Sequence, residues 1–215
     1  MTYLQVVNSV LRRLRENQVS TVDQTSYSLL IGELVNEAKE SVEDVWDWTG
    51  LRTTIVVPTV ASTYTYTIVD SQNKIKILDV INNTANTFMV SRGNSWMRNL
   101  FLNNNAPESQ PQYYNLKTLD ANGDNVFEVY PIPDKVYDLN FSVVKRQGYL
   151  LEDTDKLKVP TNPVILLATA LAARERGETG GTAALEMFVL ADKALSNAVA
   201  YDAAQHSDET IWTPV

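Results

Sequence analysis

Between Thr2 and Glu16 the apolar residues Leu4, Val7, Leu11 and Leu14 recur at the spacing that lays one stripe along an α-helix. Thr2 is available as its N-cap and Asn17 lies near its end. A second helix is predicted through Tyr27, Leu30, Leu34, Ala38, Val42 and Val45, with Glu33, Glu37, Lys39, Glu40 and Glu43 largely on its other faces. Gly50 follows as a natural left-handed stop. From Leu51 the period shortens. The runs RTTIVVP, STYTYTIV, KIKILDVI and NTFMVSR are rich in β-branched and aromatic residues and separated by Pro, Asp, Asn and Gln, which predicts four short strands. QYYNLKTL and NVFEVYPIPDKVYDLNFSVVKR predict three more, the last two as a hairpin joined by Ile132 to Lys135.

Helical spacing returns after Pro160. Asn162 as cap and Pro163 in the first turn predict a helix that ends near Gly177. Its apolar residues, VILLATALAA, lie all round, so it should pack against several neighbours. ETGGT allows a reversal, and Leu185, Phe188, Leu195 and Val199 mark a last helix with Asp192 as an interruption. The fold class is α+β. About four helices from both chain ends, 1–50 and 158–205, form a bundle; an antiparallel β-sandwich or strongly bent sheet, 51–157, is inserted between them. That insert carries a long loop at 91–114, and 206–215 is expected as an extended C-terminal tail.

A chain of 215 residues with 44% apolar content can bury a core without staples. It has no cysteine, hence no disulfide, thiolate nucleophile or cysteine-based zinc site, and a reducing compartment suits it. The opening segment MTYLQVVNSVLRRLREN has no long apolar run with a cleavage site after it and is expected to be a helix of the fold. The longest apolar run, Val164 to Ala173, is too short to span a bilayer. A net charge of −8 argues against phosphate-backbone binding, yet suits a surface that DNA passes without sticking. Arg12, Arg13 and Arg15 form the densest basic cluster, expected as a solvated or interface face.

Candidate chemistry is thin. Glu43, Asp44 and Asp47 beside Trp46 imitate a glycosidase pair, but neighbours on one helix do not face each other across a sugar. His206 has no second histidine with which to build a triad or a metal site. DANGDN, Asp120 to Asn125, alternates oxygen-bearing residues without the glycine position or the distant acid of a calcium loop, so a hairpin turn is expected. GETGG lacks the lysine of a phosphate-binding loop. No cofactor, catalytic residue or metal ligand is predicted.

The informative residues are therefore apolar ones in segments that look unable to bury them locally. Trp96, Met97 and Phe101 lie in the long connection and are candidate partner contacts, or else a short helix capping the sandwich. Thr210, Ile211, Trp212, Pro214 and Val215 form a tail suited to strand addition or groove docking, or to folding back on the bundle. Trp46 and Trp48, two of four tryptophans, stand with Gly50 at the junction of bundle and sandwich, one ring expected on the bundle and the other under the first strand.

Three stretches in fixed order carry a resemblance: the opening helix TYLQVVNSVLRRLREN; LVNEAKESVEDVWDWTGLRTT; and FEVYPIPDKVYDLNFSVVKR with the acidic turn and helix entry LEDTDKLKVPTNPVILLATALAARE after it. Over residues 1 to about 205 the chain resembles head-to-tail adaptor proteins of tailed bacteriophages, the group that includes the tail tubular A proteins of short-tailed phages. The resemblance implies a non-enzymatic virion protein assembled in the host cytoplasm. It would form a ring of about twelve copies in the neck, bound to the portal protein and receiving the tail or nozzle protein, with DNA crossing the lumen during ejection. It also places Thr210 to Val215 at the portal by analogy. Another phage tail completion or assembly protein is the alternative, and a carbohydrate-binding β-sandwich is a further one.

Overall fold

The computed structural model describes residues 1–72, 74–102, 106–177 and 182–206. The chain divides into two compact units: Met1–Leu51 with Gln147–Val215, and Arg52–Arg146.

In the helical unit, α1 (Tyr3–Arg13) starts at Thr2, whose hydroxyl accepts the Gln5 N–H while the Gln5 side chain accepts the Thr2 N–H. This reciprocal cap satisfies two amide donors that a helix start leaves free. Tyr3 and Leu4 donate their N–H groups to the carbonyls of Asp155 and Asp153. Tyr3, Val6, Val7, Val10 and Leu11 are buried. α2 (Ser26–Val45) buries Ile31, Val35, Ala38 and Val42, whereas Tyr27, Leu30 and Leu34 are half-buried and Val45 is exposed. The buried face is thus rotated from the predicted stripe, and it takes in Asn36, Lys39 and Glu43, two of which were expected in water.

Those three polar residues recur at helical spacing and grip the chain where it returns from the β unit. Lys39 Nζ donates to the carbonyls of Gln147 at 2.7 Å and Gly148 at 3.0 Å, and to Glu43 Oε1 at 3.2 Å. Asn36 donates to the Leu150 carbonyl at 3.1 Å and accepts its N–H at 2.9 Å. Burial pushes the Glu43 carboxyl above its ordinary value, with Lys39 pulling the other way. The return to the bundle therefore begins at Gln147, earlier than the periodicity suggested.

α4 (Thr161–Glu175) begins one residue before Asn162, with Pro160 at the cap position, so Asn162 is inside the first turn and is not the cap. The helix packs against α1, α2 and α5 (Thr182–Ala203), as its all-round apolar pattern requires, and stops before Gly177, which has φ 78°. Along α5, Ala191 is buried, Phe188, Leu195 and Val199 are half-buried, and Leu185, Val189, Leu190 and Tyr201 are exposed. Ala204–His206 form a 3-10 turn, so His206, where the extended tail was expected to begin, belongs to the end of the helical unit.

The β unit is a two-sheet sandwich of eight strands. β1 (Arg52–Pro58), β8 (Asp138–Lys145), β3 (Ile75–Asn82) and β4 (Thr87–Phe88) form one antiparallel sheet in that order. β2 (Thr65–Ile68), β7 (Asn125–Tyr130), β6 (Tyr113–Leu119) and β5 (Val90–Ser91) form the other, with β5 parallel to β6. The segment NTFMVSR splits around buried Met89 into two strands of different sheets, which gives eight strands in place of seven. The predicted hairpin of the last two strands is also corrected, since β7 and β8 lie in different sheets. The crossing segment is held by the Thr59 hydroxyl, which accepts the Tyr137 N–H at 2.8 Å, and by backbone bonds from Ile132 to Pro107 and Ser109. Alternation along β8 turns Leu139, Phe141 and Val143 inward against Phe127 and Val129 of β7, with the Phe127 and Phe141 rings 4.8 Å apart.

Replacing Lys39 by Met strands the buried Glu43 and should cost about 3–5 kcal/mol in urea unfolding. The double variant Lys39→Met with Glu43→Leu should recover part of that loss, since the carbonyls of Gln147 and Gly148 stay without their donor.

Candidate partner-binding surfaces

The residues predicted at the junction take distinct positions in the helical unit. α2 ends at Val45, and Trp46 is extended with φ −149° and ψ 154°. Its indole N–H donates to Asp202 Oδ2 of α5 at 3.0 Å, and the same oxygen accepts the Thr49 N–H at 3.2 Å. Trp48 is the buried ring, 1% exposed, with its N–H on the Val42 carbonyl at 2.7 Å. The helix stops before either residue, so it is the extended backbone that separates the two rings. Gly50 is not a left-handed stop; it belongs to a 3-10 turn, Thr49–Leu51, and a Cβ there would collide with the Lys158 carbonyl. Glycine is required by that close approach. His206 Nε2 lies 2.7 Å from the Thr49 hydroxyl, so the single histidine braces the same turn.

In the β unit, Trp96, Met97 and Phe101 fall on α3 (Asn94–Leu102), which packs on β6. Of the two expectations for this segment, the short helix on the sandwich is the one present: Met97 is fully buried and Phe101 half-buried. Trp96 meets the edges of Tyr113 at 4.9 Å and Tyr130 at 6.1 Å, while Phe101 lies 5.8 Å from Tyr130 and 4.6 Å from Tyr64. The Arg92 guanidinium sits 5.3 Å from the centres of both Trp96 and Tyr113. Trp96 keeps 38% of its surface exposed, so this platform leaves one aromatic edge and one cation facing solvent. Thr210, Ile211, Trp212, Pro214 and Val215 lie outside the described residues.

Groups that suggested chemistry are absorbed by the fold. Glu43 is held by Lys39. Asp120–Asn125 turns β6 into β7, with Asp120 Oδ1 accepting the N–H groups of Asn122 and Asp124. Asp124 accepts the N–H groups of Gln72 at 2.9 Å and Asp70 at 3.0 Å, and these bonds, Gln72 first, hold its carboxyl below the usual range. Asp155 is likewise lowered by the N–H groups of Glu152 and Leu151. Among the described residues no cluster of His, Cys, Asp or Glu could hold a metal ion, and no helix is long and apolar enough to cross a membrane.

The fold is a helical unit from the two ends of the sequence with a β-sandwich inserted in the chain between them. Comparison with known families matches residues 1–213 to the SU10 adaptor protein family, and the chain belongs to that family. It is a structural adaptor protein of bacteriophage type, a virion component. No curated protein matches the chain.

Trp48→Ala should cost about 3–5 kcal/mol by urea unfolding followed with far-UV circular dichroism, and Trp46→Phe about 1 kcal/mol, since it forfeits one partly exposed hydrogen bond. The lowered carboxyls set a pH dependence of known sign. Their contribution is complete above the ordinary aspartate pKa of about 3.9 and is lost as pH falls through their lower folded values. Asp124→Asn and Asp155→Asn should therefore lower Tm at neutral pH, with the gap from wild type closing in scans carried into acid.

Proposed function

We propose that the protein forms a ring beneath the portal of a tailed phage and receives the tail or nozzle protein, with genomic DNA passing through the lumen. Membership of the adaptor family across residues 1–213 is the observation that supports this. It works as a non-enzymatic joint with no cofactor, and its place is the neck of the virion. A head-to-tail contact closes into a ring when its rotation divides a full turn, and about twelve copies would then repeat every partner contact. Multiplication of weak contacts gives firm attachment without a large interface per copy. The net charge of −8 supports DNA sliding through the lumen without sequence-specific binding.

The partner contacts fall on two regions. The exposed edge of Trp96, stacked with Arg92 and backed by Met97 and Phe101, is rigid and amphipathic, the kind of group that anchors interfaces. Thr210, Ile211, Trp212, Pro214 and Val215 form the portal anchor, supported by the apolar side chains of Ile211, Trp212 and Val215 in their sequence.

Size-exclusion chromatography with light scattering, on the protein mixed with the portal ring of its source phage, should show a mass gain of many copies per portal. A version truncated at Ser207 should lose that gain. No gain for the full chain would point to another position in the tail or its assembly, and retention by the truncated chain would move the anchor elsewhere.

A further inference from the structure

Between α2 and residues 149–153 the helical unit carries a groove of about 910 Å³. Tyr3, Val22 and Leu150 are buried beneath it, while Leu29, Tyr149 and Leu151 on its walls are 50%, 60% and 79% exposed. Six carboxylates line it: Asp23, Glu33, Glu37, Glu40, Glu152 and Asp153. None of the six has an ion-pair partner among the described residues. The negative potential acts on the Tyr3 phenol, which is pushed up to about 12, first by burial and then by Glu33 and Asp153.

The opposite charge stands at the far end of α1. Arg12, Arg13 and Arg15 are exposed there, and none has a carboxylate partner among the described residues. Arg176, at the C-cap of α4, joins Glu16 at 2.6 Å and Tyr27 at 2.7 Å, which brings the end of α4 to the same place. Arg15 is held at φ 59°, in the left-handed region that costs an ordinary residue about 1–2 kcal/mol. At 1.5 Å per residue, roughly 15 Å of helix separates Arg13 from Tyr3 in the groove, well beyond the Debye length of about 8 Å at physiological salt. Among the described residues no arginine of this end pairs with a carboxylate of its own groove.

We propose that the groove receives the arginine end of α1 from a second copy of this chain, its carboxylates pairing the guanidinium groups and Leu29, Tyr149 and Leu151 covering their aliphatic stems. This rests on the ring reading above and gives that ring its copy-to-copy contact. The two surfaces differ, so the contact is head-to-tail, the type that propagates around a ring. Complementary charge sets partner and register, and the arginine fork suits paired carboxylates.

Charge reversal tests it on the full chain with the source-phage portal ring, read as copies retained per portal by light scattering. One variant carries Glu37→Arg and Glu40→Arg, the other Arg12→Glu and Arg13→Glu; all four positions are exposed, and circular dichroism verifies folding. Each variant alone should lose about tenfold or more in retention, because two attractive pairs at every contact are replaced by like charges. An equimolar mixture should regain wild-type retention, since each variant's groove accepts the other's arginine or glutamate end. Wild-type retention by either variant alone would overturn this contact and leave the ring reading standing. Loss in both without recovery in the mixture would assign the groove to a basic segment of another protein and overturn the proposal. A wild-type chain that forms no ring on the portal would overturn both.

Discussion

The helical unit depends on a polar clamp. Asn36, Lys39 and Glu43 sit on the buried face of α2 and hold backbone groups of Gln147, Gly148 and Leu150. A chain that leaves for a β-sandwich and comes back must be caught at its return, and hydrophobic contact alone would not set the register of an irregular segment. Hydrogen bonds do, because buried carbonyls left without donors are costly. The clamp has further consequences along the same segment. Asp153 and Asp155 offer their carbonyls to the first turn of α1, and Asp153 Oδ1 accepts the Val22 N–H at 3.0 Å. The first turn of α1, the turn at Val22 and the middle of α2 are thereby tied to one short stretch.

The β unit is organised by apolar alternation. Phe141 on β8 and Phe127 on β7 meet between the sheets, and inward residues of neighbouring strands pack around them. Its outer aromatic platform follows different logic. Trp96, Phe101, Tyr113, Tyr130 and Tyr64 stack on one another over buried Met97, which keeps a large ring rigid while part of it faces water. Rigid, half-exposed aromatics lose little entropy on binding and bury much area, which suits a protein whose task is attachment.

The same economy runs through the ionisable groups. Asp124 and Asp155 hold loops by accepting backbone N–H groups, Glu43 completes the clamp, and Glu16 pairs with Arg176. None of these is arranged about a cavity with a nucleophile or a base. The groove carboxylates and the arginines at the end of α1 have no ion-pair partner among the described residues, which is what the proposed contact between copies draws on.

The sequence by itself determined the α+β class, the helices at both ends, most strand positions and the place of the hairpin turn at Asp120–Asn125, because each rests on local period or turn chemistry. The order of three motifs also carried the likeness to phage adaptors. What the tertiary structure decided was whatever depends on distant backbone. Lys39 and Glu43 read as solvated because their partners lie about a hundred positions away, although their spacing with Gly32 and Val35 already put them on one face. Gly50 read as a helix stop because nothing local announces the carbonyl of Lys158. The pair VYPIPDKVY read as a hairpin because a two-sheet crossing and a tight turn share the same proline and aspartate signals. For Met97 the sequence left a partner contact and a short helix capping the sandwich both open, because it cannot show that Tyr113 and Tyr130 lie against the helix that carries its neighbour Trp96. Local patterns set local structure; which surfaces are covered is a property of the packed chain.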